Sequence, residues 1–182
     1  PMTFASEDQS ISHKNNKNNS LLTDPFLQLP TKKTINIVWF TEFKGDRHIV
    51  KYGAELEKQV NAHSTKLSRV SEDQDSQLES PPAQSIPRDI WRHEAKVSGL
   101  IPNQRLPYQV VSIQDQQTIT SKVFTLASNP STETALKILF TSDHQLKTMT
   151  TANLQKVVET VGQVDPVFFP GDLVDIPDRP SE

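Results

Sequence analysis

The sequence predicts two unlike parts in one chain: a β-sandwich over residues 21–126 and, after a linker at 127–134, an α/β-type β-α-β unit over 135–182. Three observations predict this. Short apolar, β-branched runs recur between turn signals through the first two thirds, in a chain with 13 Pro and only 5 Gly. From Leu136 onward the pattern changes, and two apolar runs of strand length flank a segment with helical spacing. Each of those two runs ends in a carboxylate, Asp143 after the first and Asp172 after the second.

The totals bound the function. With 182 residues there is room for one or two small domains. A net charge of −3 leaves no electrostatic footprint for nucleic acid, and no nucleic-acid partner is expected. Cysteine is absent, so disulfides and thiolate metal sites are excluded and any metal must use oxygen and nitrogen ligands. The compartment stays open. No apolar run approaches the ~18 residues of a membrane span.

Taken in order, residues 1–20 form a polar, Asn-rich tail with too little apolar surface to offset the entropy of ordering. Residues 24–30 read as a short edge strand bracketed by Pro25 and Pro30. Residues 34–41 are the strongest strand of this half, with Ile35, Ile37 and Trp39 on one face and Trp39 in the core. Residues 44–47 make a turn and 48–53 a strand on which His48 is expected to be solvated. Residues 61–70 read as one further strand, 71–88 as a long surface loop, and 91–97 as an alternating strand. A turn and strand follow at 99–111, a hairpin turn at 114–117, and a last strand at 118–126. About seven strands in roughly 105 residues suit one sandwich. The linker is rich in Ser, Thr, Asn and Pro and is expected, with the tail and the 71–88 loop, to be cut first by a protease.

In the second part, Ala152, Leu154, Val157, Val158 and Val161 share one helical face, Thr150 or Thr151 can cap the start, and Gly162 can end the helix. A β-α-β unit has parallel strands, whose carboxyl ends lie on the same edge of the sheet. Asp143 and Asp172 are therefore expected to face one another across a crevice there, where α/β folds bind their ligands. Two carboxylates held together repel unless a cation lies between them. A pair of divalent metals ~3.5–4 Å apart is one standard solution, and it clamps phosphoryl oxygens.

Asp143-His144-Gln145 after one strand and Gly171-Asp172-Leu173-Val174-Asp175 after the next resemble the opening motifs of a calcineurin-like metallophosphoesterase, Asp-x-His or Asp-x-Gly followed by Gly-Asp-x-x-Asp or Gly-Asp-x-x-Tyr. The resemblance implies that Asp143 binds one metal, that Asp172 bridges two, and that Gln145 stands where the family places His or Gly. A Gln amide oxygen can ligate a hard cation. His144 would point away from Asp143 in an extended chain, and either touches substrate phosphate or is a solvated loop residue. Upstream, residues 99–111 resemble the Gly-Leu-x-Pro-x-x-x-Tyr-x-x-Val stretch of a fibronectin type III sandwich, with Leu106 in the Tyr position and Tyr108 two residues later. A fibronectin type III or immunoglobulin-like sandwich followed at once by such motifs is similar to the purple acid phosphatases.

That resemblance implies two iron, zinc or manganese ions in a full-length parent and a phosphate ester as substrate. Asp175 falls where purple acid phosphatases carry their metal-binding Tyr, so the iron-phenolate colour is not expected. The family's Asn-His-Glu/Asp and later His motifs are not found, and the rest of a catalytic domain is expected after Glu182. The expectation is thus the N-terminal part of a metal-dependent phosphoester hydrolase, with an incomplete phosphoesterase unit that is inactive by itself. The metal candidates are Asp143, Asp172 and Gln145, and no residue is assigned as catalytic. The alternative is a non-catalytic sandwich that binds a partner and carries a degenerate phosphoesterase segment.

Overall fold

Period-two alternation of apolar side chains decides which faces of the strands meet. The computed structural model describes residues 20–67, 71–72, 80–145 and 147–174. Five strands of the first half are β1 (Phe26–Gln28), β2 (Thr34–Thr41), β3 (Arg47–Tyr52), β4 (Lys58–Asn61) and β5 (His63–Lys66). A minor pair, β6 (Ser71–Glu72) and β7 (Ile86–Pro87), precedes β8 (Trp91–Ser98), β9 (Arg105–Gln114), β10 (Gln117–Thr120) and β11 (Phe124–Ala127). The chain ends its described part with β12 (Leu139–Phe140), α1 (Thr150–Val161) and β13 (Val167–Phe168).

Two antiparallel sheets form the sandwich. One has the order β1-β2-β8-β5; in the other, β4-β3-β9 continues to β10 and β11, which share the far edge of β9. The core lies between them. Ile35, Ile37, Trp39, Ala95 and Val97 come from the first sheet, and Val50, Tyr108, Val110 and Leu126 from the second. Full burial of a Leu- or Ile-sized side chain contributes ~1.5–3 kcal/mol, so this cluster is a principal source of the sandwich's stability. On the outer face of β2, Phe40 stacks on Phe26 at 6.1 Å and helps hold the short edge strand β1.

Three strand expectations need correction. The single strand expected at 61–70 overlaps only the last residue of β4, which pairs with β3 in one sheet, and contains β5, which pairs with β8 in the other. The chain changes sheet at Ala62, whose N–H still donates to His48 O at 2.8 Å. A run that is apolar only at Val60, Ala62 and Leu67 carries too weak an alternation to show the break. Residues 68–70 lie outside the described residues, as do residues 1–19 of the expected tail.

The last strand at 118–126 is also two strands, interrupted at 121–123. β10 pairs with residues 111–114 of β9 and β11 with residues 105–108. Ser121 repairs the ladder at the break: its N–H donates to Val110 O at 3.0 Å, and its hydroxyl accepts from Val110 N at 3.1 Å while donating to Lys122 O at 2.7 Å. The 71–88 segment, read as loop throughout, contains the β6–β7 pairing of Ser71 with Pro87 and Glu72 with Ile86. The hairpin turn at 114–117 is as expected, with Asp115 and Gln116 both at positive φ, the geometry of a two-residue type I′ turn.

His48 is buried, not solvated. It comes from β3 of one sheet and stacks on His93 from β8 of the other, with ring centroids 3.5 Å apart and planes 16° from parallel. Carbonyl oxygen only accepts, so the 2.7 Å contact of His48 Nε2 with Lys44 O places the proton on Nε2. His48 Nδ1 then accepts from Ser112 Oγ at 2.8 Å, and Ser112 Oγ accepts from Trp39 Nε1 at 3.0 Å. Thr41 Oγ1 donates to Phe43 O at 2.6 Å, so His93 Nε2 donates to Thr41 at 2.8 Å and His93 Nδ1 accepts from Ser64 Oγ at 2.8 Å. Gly45 covers this cluster: at φ +66°, a Cβ there would lie 2.5 Å from His48 Nε2.

Tyr108 does not make a local corner bond. Its ring is buried beside Phe124, and its hydroxyl reaches across to Pro25 O at 3.4 Å. Burial, with Asp24 nearby, pushes the phenol up to about 12. The 127–134 segment is held to the sandwich: Asn129 N donates to Thr31 O at 2.9 Å, Asn129 Nδ2 to Pro30 O at 3.2 Å, and Ser131 N to Asn103 Oδ1 at 3.4 Å.

Two outcomes follow from these contacts. Ser121→Ala removes the acceptor for a buried N–H, and chemical denaturation should show a loss of ~1–3 kcal/mol with an unchanged m-value. Proteolysis within 127–134 should be slow in the wild-type chain and faster in Asn129→Ala, read by the time course of fragments on a gel.

Candidate metal centre

Residues 136–140 and 164–169 are apolar enough to pair, and they do so in parallel. Leu139 lies opposite Val167 and Phe140 opposite Phe168. Leu139 N donates to Pro166 O at 3.1 Å and Thr141 N to Phe168 O at 3.1 Å. The two carboxyl ends therefore emerge side by side, and the loops that follow them touch. Gln145 N donates to Asp172 O at 3.1 Å, and Ser142 Oγ donates to Gly171 O at 3.2 Å.

All three candidate ligands have positive φ: 57° at Asp143, 45° at Gln145 and 52° at Asp172. Asp tolerates this left-handed region better than most residues, whereas a Gln there is strained. Each such residue costs of order 1 kcal/mol and persists only where its surroundings hold it. Here the loop-to-loop backbone bond holds Gln145 directly. Both carboxylates are exposed, and among the described residues neither makes a hydrogen bond or an ion pair.

His144 is not a fully solvated loop residue. It is half-buried, its Nε2 lies 3.0 Å from Thr141 Oγ1, and its ring meets Phe169 edge-on at 5.4 Å. It braces the first loop against the second. Thr150 does not cap α1 with its side chain. It is the first helical residue, and its hydroxyl donates to His144 O at 2.9 Å. Gly162 does end the helix, at φ 72°, with its N–H on Val158 O at 2.9 Å. Thr141, Ser142 and Phe169 were missed as loop-tying residues. The only sequence signal for the first two was a hydroxyl at a strand end, which is common to many turns.

The donor set can be judged from its chemistry. Asp143, Asp172 and Gln145 offer hard oxygen donors, suited to part of the shell of one hard cation. Among the described residues no group of three or more His, Cys, Asp or Glu could hold a metal ion. A dimetal centre therefore does not fit the described residues alone. Asp175 lies outside them.

The unit is also incompletely covered. α1 has no buried residue, although Leu154 and Val157 are half-buried. Phe140 and Phe168 stack at 5.0 Å yet remain 68 % and 49 % exposed, beside exposed Val167, Phe169 and Leu173. No helix among the described residues is long and apolar enough to cross a membrane.

No protein-family model matches the sequence, and no curated protein matches it. Among solved structures, a purple acid phosphatase isolated from yellow lupin (Lupinus luteus) seeds superposes with a TM-score of 0.65 at 16 % identity, over 86 % of this chain and 30 % of that one. The chain has a fold similar to that of part of the lupin protein. It spans less than a third of the lupin protein. Astrotactin-2, at a TM-score of 0.30 and 12 % identity over 60 % of this chain and 22 % of its own, carries no argument.

A direct measurement bears on the three candidates. Calorimetric titration of the 182-residue protein with Mn²⁺ should show at most one weakly bound ion, and Asp143→Asn should abolish that binding. Two tightly bound ions would show that the ligand set is complete in this chain.

Proposed function

We propose that this chain is part of a metal-dependent phosphoester hydrolase of the purple acid phosphatase type, with a sandwich at 21–126 leading through a linker at 127–134 into the beginning of the catalytic domain at 135–182. One observation carries the reading: the parallel β12–β13 pair brings the Asp143 and Asp172 loops into contact, with Gln145 N 3.1 Å from Asp172 O, inside a fold that superposes on a purple acid phosphatase. In this reading Asp143, Gln145 and Asp172 contribute oxygen ligands to iron, zinc or manganese. The remaining ligands come from further sequence of the parent. The exposed apolar side chains of the β-α-β unit support the same conclusion, since a larger sheet would cover them.

The sandwich is proposed to be of the immunoglobulin or fibronectin type III kind. Its β1-β2-β8-β5 sheet follows the ABED order, and β3, β9 and the β10/β11 edge follow CFG, with β4 added beside β3. The second reading, a partner-binding sandwich with a degenerate phosphoesterase segment, is favoured by the lack of a three-ligand metal group among the described residues.

The two readings separate in a longer parent carrying these residues. Asp172→Asn there removes a ligand charge and keeps the shape. Turnover of an aryl phosphate should fall by several orders of magnitude, by analogy with loss of a principal metal ligand. Residues 1–182 alone should show no turnover with Mn²⁺, Zn²⁺ or iron added. Full activity of the Asp172→Asn parent at equal metal content would exclude Asp172 from the site and favour the binding reading.

A further inference from the structure

The sandwich contains a second cluster of chemically active side chains, distant in sequence from the candidate metal ligands. His48 and His93 come from opposite sheets and stack face to face at 3.5 Å. Each ring has one nitrogen that donates and one that accepts, and all four are engaged. A cleft of about 340 Å³ opens beside them, lined in part by Lys44, Asp46, Arg47, His48, Asn61 and Ser64. It gives water access to the edge of His48, and it sits where the chain crosses from β4 to β5.

We propose that the His48–His93 stack is an acid-sensitive clasp between the two sheets, closed while both imidazoles are neutral and released by their protonation. Adding a proton at His93 Nδ1 turns an acceptor into a donor, and Ser64 Oγ–H must reverse. Adding one at His48 Nδ1 likewise reverses Ser112 Oγ–H, which then donates elsewhere while still accepting from Trp39 Nε1. Two cations stacked at this distance repel. The environment offers little compensation. Facing the pair, Trp39 and Thr41 on β2, Asn61 on β4, Ser64 on β5 and Ser112 on β9 are uncharged. Of the charged groups, Asp46 in the turn before β3 favours a charged His48, whereas Lys44 and Arg47 line the same cleft. Arg92 and Glu94 bond to one another, with the neighbouring positions of β8 directing them away from His93.

Burial depresses both imidazoles, His93 to about 3 with His48 adding to the effect; at His48 the Lys44 carbonyl and Asp46 oppose the depression in part. Since the folded state then binds fewer protons than the unfolded one, the stabilisation is full above the ordinary value of 6.5 and is lost as pH falls below it. Between pH 7 and pH 5, each imidazole that stays neutral in the folded protein lowers the folded-to-unfolded ratio by about 25-fold. The first segment to loosen should be the crossover, since Ala62 N is bonded to His48 O and Ser64 to His93.

The test uses the 182-residue protein. Histidine ring proton spectra from pH 7.5 to 4 should show His93 without an inflection near 6.5. Amide exchange at Ala62 and Ser64 should rise at pH 5 more than at Val38 or Val110, after correction for intrinsic rates. Denaturation from pH 7 to 5 should lose stability more steeply in the wild type than in a His48→Gln, His93→Gln double variant. A His93 midpoint near 6.5 in the folded protein, or equal pH dependence in both proteins, would overturn the clasp. If the double variant does not fold, the wild-type spectra and exchange rates decide by themselves.

Discussion

One buried polar network ties the two sheets together. It runs from Trp39 on β2 through Ser112 on β9 to His48 on β3, across the imidazole stack to His93 on β8, and on to Thr41 and Ser64. Apolar contact alone is tolerant of sliding, because dispersion and area burial are non-directional. Hydrogen bonds between opposed faces are not. A shift of either sheet would orphan buried donors at ~1–3 kcal/mol each, so the network selects one relative placement. The apolar cluster of Ile35, Ile37, Val97, Val110 and Leu126 then packs against a fixed partner. Gly45 is part of the same constraint, since a side chain there would displace the His48 ring.

The second part of the chain rests on a different principle. Its two short strands share four contacting backbone positions, Leu139 with Val167 and Phe140 with Phe168, and little apolar area is sealed. Order at the strand ends comes from local bonds: Gln145 to Asp172, Ser142 to Gly171, and His144 braced between Thr141 and Phe169. These contacts hold three residues at positive φ, a conformation that costs free energy and places the two loops against one another. Strain at such positions is compatible with a ligand site and persists because the loop-to-loop bonds hold it. Phe140, Phe168 and Phe169 stay exposed, so burial of apolar surface contributes little to the order of this unit.

How much was legible in the sequence depends on how local the determining physics is. The strand Thr34–Thr41, the Asp115-Gln116 turn, the helix over Thr150–Val161 and its Gly162 end, and the parallel pair that follows were all readable. Their causes are β-branching, turn chemistry and apolar period, which act within a few residues. The adjacency of the Asp143 and Asp172 loops was readable as well, because parallel strands leave their carboxyl ends on one edge. The chemical type of the metal candidates, oxygen donors, was read from residue type and motif.

Only the tertiary structure decided the rest. The crossing from β4 to β5 at Ala62 is set by pairing with β3 in one sheet and β8 in the other, and the split of the last strand at Ser121 by two separate pairings with β9, all with strands distant in sequence or in the other sheet. His48 reads as an ordinary strand histidine until β8 places His93 over it from the opposite sheet, 45 positions along the chain. Tyr108 likewise finds Pro25 rather than a neighbour because β1 and β9 belong to facing layers. Sequence by itself determined the strongly patterned elements and the chemical types of the candidate ligands. Long-range packing determined which polar groups are buried and paired, because desolvation depends on what covers a side chain and not on what precedes it.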